Sequence, residues 1–194
     1  IRFSLVLIVA MVTVISVVGL SMAAGAAALT EEEKAALLYM REEEKLAFDV
    51  YKVLASKWNV NIFTNISESE QKHIDSVALT MEKYGLADPV KNSKPGVFIN
   101  VKLQNLYNQL VAEGSTSLQA AFKVGMTIED VDIFDLQEYL KFVKNEDVVR
   151  VFENLKAGSI NHMQAFYSQL KALGGEYVPQ FIKVEEFKSI VGIK

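Results

Sequence analysis

Two histidines occur in the chain, His73 and His162. His73 follows Glu70 by three residues, which on a helix puts both side chains on one face, one turn apart. Carboxylate and imidazole together are ligand types that suit Fe, Mn or Zn. Glu70 and His73 are therefore the first candidates for metal ligation. Glu44, Glu129, Asp132 and His162 extend the set to four carboxylates and two imidazoles. Two divalent cations would cancel four carboxylates in formal charge. The chain has no cysteine, which excludes disulfides, thiolate metal sites and cysteine nucleophiles.

For these residues to meet, the elements carrying them must face one another. From Leu29 onward the sequence reads as helices. Thr30-Glu31-Glu32-Glu33 has the form of a capping box and opens a first helix that runs to about Trp58. Asn61 is placed to cap a second, which ends near Tyr84-Gly85. Residues 86–100 hold two of the three prolines and read as a loop. A short helix follows from about Val101 to Glu113. Ser115 to Ser117 offer caps for a third long helix to about Lys144, and Asn145-Glu146-Asp147 opens a fourth, which stops at Gly174-Gly175. Residues 176–194 form a small extension. The expected architecture is all-α, an antiparallel four-helix bundle over 29–175 with a short extra helix in the connection between helices 2 and 3.

Bundle helices bury positions spaced alternately three and four apart. In the first helix that stripe is Leu37, Met40, Glu44, Ala47, Tyr51, Leu54, Trp58. In the second it is Ile62, Ile66, Glu70, His73, Val77, Met81, Tyr84. In the third it is Leu118, Phe122, Gly125, Glu129, Asp132, Leu136, Tyr139, Val143. In the fourth it is Val148, Phe152, Leu155, Ser159, His162, Phe166, Leu170, Leu173. Each stripe is apolar except near its middle. Burying one unpaired carboxylate costs several kcal/mol, so four in one core call for cations. Plainer readings compete at single positions. Glu42-Glu43-Glu44 is a charge run of the kind that usually faces solvent. Ser67-x-x-Glu70 is also a capping-box pattern, Thr127-Ile128-Glu129-Asp130 an acidic first turn, and His162 alone a core histidine.

The N-terminus carries a different message. No charged residue occurs from Phe3 to Leu29, and the run ends in Ala and Gly after a start at Arg2. Residues 1–28 read as a secretory signal peptide, with an uncleaved membrane anchor as the alternative. Both place the remaining chain outside the cytoplasm, and an anchor would be its only link to a membrane. A net charge of −4 without a Lys/Arg-rich patch argues against nucleic acid as a partner.

Tyr39-Met40-Arg41-Glu42-Glu43-Glu44-Lys45-Leu46-Ala47-Phe48-Asp49-Val50-Tyr51, Ser69-Glu70-Gln71-Lys72-His73, Gly125 to Asp132 and Gly158 to His162 together resemble the segments of an uncharacterised bacterial and archaeal ferritin-like family, distantly similar to rubrerythrin and ferritin. The resemblance runs from about Leu29 to Ile190. It implies a di-iron carboxylate site held by Glu44, Glu70, His73, Glu129, Asp132 and His162, with Tyr51 as a supporting hydrogen-bond partner. One departure stands out: Ser159 occupies the position where such sites carry a Glu three residues before the fourth-helix His, and Asp132 would have to supply the missing carboxylate. The activity implied is a ferroxidase or peroxidase, reacting Fe(II) with oxygen or peroxide, with metal binding without turnover as the alternative. Mn or Zn could replace Fe, and self-association into a homo-oligomer is compatible with the fold. The rubredoxin-like iron site of rubrerythrins needs Cys and is missing.

Overall fold

A computed structural model describes residues 28–193. The signal-peptide or anchor segment lies outside the described residues save for residue 28. Among the described residues there are six helices and no strand: α1 Glu31–Trp58, α2 Asn61–Lys83, α3 Val101–Gly114, α4 Leu118–Leu140, α5 Glu146–Ala172 and α6 Val184–Val191. No helix among them is long and apolar enough to cross a membrane.

The helix ends follow local chemistry. The Thr30 hydroxyl accepts from the Glu33 N–H while the Glu33 carboxylate accepts from the Thr30 N–H, closing the capping box of α1. Asn59 in the left-handed region (φ 52°) terminates that helix. Asn100, Ser117 and Asn145 cap α3, α4 and α5 through their side chains. Asn61 does not cap α2; Val60 occupies the cap position, without a side-chain bond, and Asn61 is the first helical residue. α4 ends four residues before Lys144, since the Lys141 and Phe142 N–H groups already turn back onto Glu138 and Tyr139. The C-terminal extension contains α6, held in place by Asp130. That fully buried carboxylate accepts from the Tyr177 hydroxyl and from the Gln180, Phe181 and Ile182 N–H groups.

α1 packs along α2 and α4 along α5, while α2 also meets α5 and α1 meets α4. α3 lies against α1 and α4, and α6 against α5. The core divides into two apolar clusters. One gathers Val50, Leu54, Phe63, Phe122, Met163 and Phe166; the other gathers Leu37, Met40, Val77, Met81, Leu136 and Phe152. The order in which each helix visits them gives its direction. α1 and α5 run from the second cluster to the first, α2 and α4 the opposite way. The parallel pair α2 and α4 needs a long connection, which residues 84–117 supply with α3 inside it.

Glu33 ties the two ends of this arrangement together. Besides capping α1, its carboxylate accepts from the Lys144 and Asn145 N–H groups at 2.7 and 2.8 Å. Burial would raise its pKa, but these backbone donors outweigh it and hold the group below its ordinary value. Glu33→Ala strands three N–H groups and should cost about 2 kcal/mol, read as a lower Tm. A depressed pKa contributes stability above the unfolded-state value and loses it as pH falls. The difference in Tm between the two proteins should therefore shrink below about pH 4.

Candidate metal centre

The four polar interruptions meet in one layer between the two apolar clusters. Glu44 is flanked along α1 by Met40 of one cluster and Ala47 of the other; Leu155 and Met163 flank Ser159 and His162 in the same way on α5. Glu44, Glu70 and Glu129 are each 2% exposed. The plainer readings of these positions fail on local geometry. Ser67 lies inside α2 and donates to the Thr64 carbonyl, and Thr127 lies inside α4 and donates to the Lys123 carbonyl. Neither opens a helix.

Glu70 stands at the centre. Glu44, Glu70 and His73 offer ligand atoms all within 4.8 Å of one another, and so do Glu70, Glu129 and His162. The His73 Nδ1 lies 2.8 Å from one Glu70 oxygen and 3.2 Å from Glu44 Oε2. The His162 Nδ1 lies 2.8 Å from the other Glu70 oxygen and 3.6 Å from Glu129 Oε2. The two rings stack with centroids 5.6 Å apart.

One of these contacts fits a pair of ligands better than a hydrogen bond, while His73 Nδ1 does hydrogen-bond Glu44 Oε2. The His162 Nδ1 and Glu70 Oε1 are 2.8 Å apart, yet neither atom has a hydrogen-bond partner, so the ring nitrogen does not point at the oxygen as a donor would. Two atoms at right angles on one ion, each about 2.1 Å from it, would stand about 3 Å apart. Glu44 Oε1 and Asp132 Oδ1 are likewise buried without a hydrogen-bond partner. Buried lone pairs left unmet carry a cost that a cation would remove.

Burial works against a charge on His73, but the Glu44 and Glu70 carboxylates outweigh it and raise the ring to about 11. Burial is likewise outweighed at His162, by Glu129 and Glu70, and that ring rises to about 10. Glu70, between two imidazoliums, is drawn down to about 2 against its burial. Glu44 is pushed up to about 7, chiefly by burial, with His73 opposing and Glu70 adding.

Asp132 belongs to neither three-donor group. It is buried on the α4 stripe, and one of its oxygens accepts from the Ser159 hydroxyl. Burial first, and Glu44 next, push its pKa well up, with Ser159 opposing. Tyr51, expected beside the site, is fully buried and donates to Glu129 Oε1 at 2.5 Å. It thereby orients a candidate ligand on α4.

Residues 33–194 match the family described as "Uncharacterized protein domain (DUF2202)". The chain belongs to the DUF2202 family. It is 52% identical over 163 residues to "Uncharacterized protein MJ0754" of Methanocaldococcus jannaschii, covering 84% of this chain and 88% of that one. It is also similar to the crystal structure of hypothetical protein MJ0754, with TM-score 0.83 and 51% identity over 86% of this chain and 95% of that chain. All six candidate ligands fall inside the span that matches the DUF2202 family.

In this DUF2202 chain three contributors escape the stripe reading. Ser69 places its hydroxyl 3.0 Å from the His162 Nε2; accepting there, it leaves Nδ1 free to ligate. It precedes Glu70 directly, so only its neighbourhood to the motif could have marked it. Glu43 is 3% exposed rather than solvated, and neither of its oxygens has a hydrogen-bond partner. Burial, then Asp132, Asp135 and Glu44, push its pKa well above the carboxylate range. Glu42, also buried, accepts instead from the Ile99 and Asn100 N–H groups and pins the 86–100 loop.

Gly158 is the third. A Cβ there would lie 2.5 Å from Cε1 and Nε2 of His73. In an ordinary helix Gly→Ala gains about 1 kcal/mol. Gly158→Ala should instead lower Tm in circular dichroism melts, because the ring must leave its place beside Glu70. A raised Tm would contradict this placement of His73.

Proposed function

We propose that this chain is a ferritin-like antiparallel four-helix bundle that holds two metal ions outside the cytoplasm. Iron is the natural choice for this ligand set. The observation that carries the reading is Glu70, whose two oxygens each face a different histidine within a three-donor group whose carboxylates are buried. The helix directions support it. All neighbouring long helices run opposite ways and one long connection joins the parallel pair, the arrangement of ferritin-like folds. The extracytoplasmic location rests on the apolar N-terminal run.

In this reading Glu44 and His73 would hold one ion and Glu129 and His162 the other, with Glu70 common to both groups. Bound as Fe(II), the two ions would supply one electron each, enough with two protons to reduce a peroxide to two waters. The chain's own part is to hold and insulate. Tyr51 fixes Glu129, Ser69 fixes the His162 tautomer, and the two apolar clusters keep bulk water from the layer. The activity proposed is therefore that of a ferroxidase or peroxidase.

A second reading, metal binding without turnover, is favoured by Ser159. Its hydroxyl occupies an Asp132 oxygen at the place where a further carboxylate ligand is expected, so the His162 side keeps three donors and gains no fourth. The two readings separate on one experiment. Protein loaded anaerobically with Fe(II) and then mixed with oxygen or peroxide should oxidise iron at least tenfold faster than the Glu70→Ala/His73→Ala variant. Equal rates would overturn the oxidoreductase reading. Tight, stoichiometric metal with equal rates would select the second.

A further inference from the structure

Lys94-Pro95-Gly96-Val97-Phe98-Ile99-Asn100-Val101-Lys102 leads from the 86–100 loop into α3. Along it the side chains alternate. Phe98 is buried and Asn100 half-buried, while Val97, Ile99 and Val101 stand outward, 48%, 66% and 71% exposed. Those three are held out. Five consecutive N–H groups are all bonded: Gly96 donates to Asp49, Val97 to the Lys94 carbonyl, Phe98 to the Gln104 side chain, and Ile99 and Asn100 to Glu42. The Phe98 ring packs into the core, with the Lys45 ammonium 4.5 Å from its centroid. Turning the aliphatic side chains inward would break this set, so their exposure is built in.

The charges around that face are of one sign. From Pro89 to Ala112 the chain has no acidic residue and three lysines, Lys91, Lys94 and Lys102. All three are exposed, without an ion pair among the described residues. The acidic groups beneath, Glu42 and Asp49, are buried and bonded to the segment's own N–H groups. At Pro95 the apolar surface continues into a cleft of about 560 Å³ against Phe48 and Val53 of α1, with Lys52 and Lys57 exposed on its edge. An apolar, basic face thus stands on a chain whose net charge is −4. Aliphatic side chains held out in water together mark a surface that something covers. The charge selects what. A second copy docking about a two-fold axis would set these lysines against themselves. Protein interfaces are poor in lysine and rich in aromatics and arginine, whereas the outward residues here are aliphatic and lysine. Aliphatic side chains among lysines match the acyl boundary and headgroups of an anionic bilayer.

We propose that this segment is a docking surface for a membrane of anionic lipid, with Val97, Ile99 and Val101 entering the acyl boundary and Lys91, Lys94 and Lys102 meeting the headgroups. The contact is additional to the apolar N-terminal run and does not depend on that run being retained.

The chain has no cysteine, so Val97→Cys, or Glu153→Cys on α5 as a control, accepts a single polarity-sensitive fluorophore. Each labelled full chain is mixed with vesicles of phosphatidylglycerol and, separately, of phosphatidylcholine. The label at position 97 is expected to shift to the blue with phosphatidylglycerol alone, and less so as salt rises. The label at position 153 is expected not to shift. Lys94→Ala/Lys102→Ala should raise the lipid concentration at half shift about 25-fold, roughly fivefold per lysine. Lys183→Ala/Lys188→Ala, an equal loss of charge at α6, should leave it unchanged. Ile99→Asn, a change at an exposed side chain, should weaken the shift as well. No shift at 97, equal shifts at 97 and 153, or equal weakening by the two lysine pairs would overturn the proposal. So would an equal shift with phosphatidylcholine, or a blue shift that grows with protein concentration without lipid, which would mark a second copy as the occupant.

Discussion

Placing a buried Glu70 midway between His73 and His162 is the constraint to which the rest of the molecule answers. A lone carboxylate at that depth would be driven neutral, and three beside one another still more so. Two imidazoles, each 2.8 Å from a different Glu70 oxygen, reverse that and keep Glu70 ionised. The charge balance is incomplete even so. Glu44, Glu129 and Asp132 are all pushed toward protonation, and several of the layer's oxygens meet no donor. In the proposed reading the layer folds with protons in place and would be completed by cations, which accounts for both the raised imidazoles and the unmet oxygens. Metal binding would then release protons and weaken in acid.

The same requirement runs outward into the fold. The core splits into two apolar clusters because a polar layer crosses it at one level in every long helix. Helix glycine is unfavourable, yet Gly158 is kept where a side chain would strike the His73 ring. Gly125 does the corresponding service for Phe166, which packs at 5.2 Å on Tyr51 and so on the group that orients Glu129. Glu33 and Asp130 stand away from the layer but fix the elements that carry it, one at the start of α5 and one along α4.

Much of this was legible in the sequence because helical periodicity is a physical repeat. The stripes place all six candidate ligands in the interior, with Leu173 alone among the stripe residues exposed, at 45%. The capping box at Thr30 and the caps at Ser117 and Asn145 follow from side chains that can reach the first free N–H groups. What escaped depends on contacts across the chain. Glu42 and Glu43 read as solvated because adjacent helix positions point different ways. The sequence carries no sign that a loop fifty-odd residues on covers Glu42, or that Asp132 and Asp135 lie beside Glu43. Asp130 reads as a helix-start residue because its partners, Tyr177 to Ile182, lie in a tail without periodicity. α6 is short, and its first turn has no side-chain cap to announce it.

A metal centre in the layer around Glu70 would be directly visible to diffraction. Anomalous diffraction at the iron edge from crystals equilibrated anaerobically with Fe(II) tests it most directly. Two peaks are expected on opposite sides of Glu70, one within bonding distance of the His73 Nδ1 and one of the His162 Nδ1. Well-ordered crystals with no anomalous density in that layer, and the carboxylates unmoved, would contradict it.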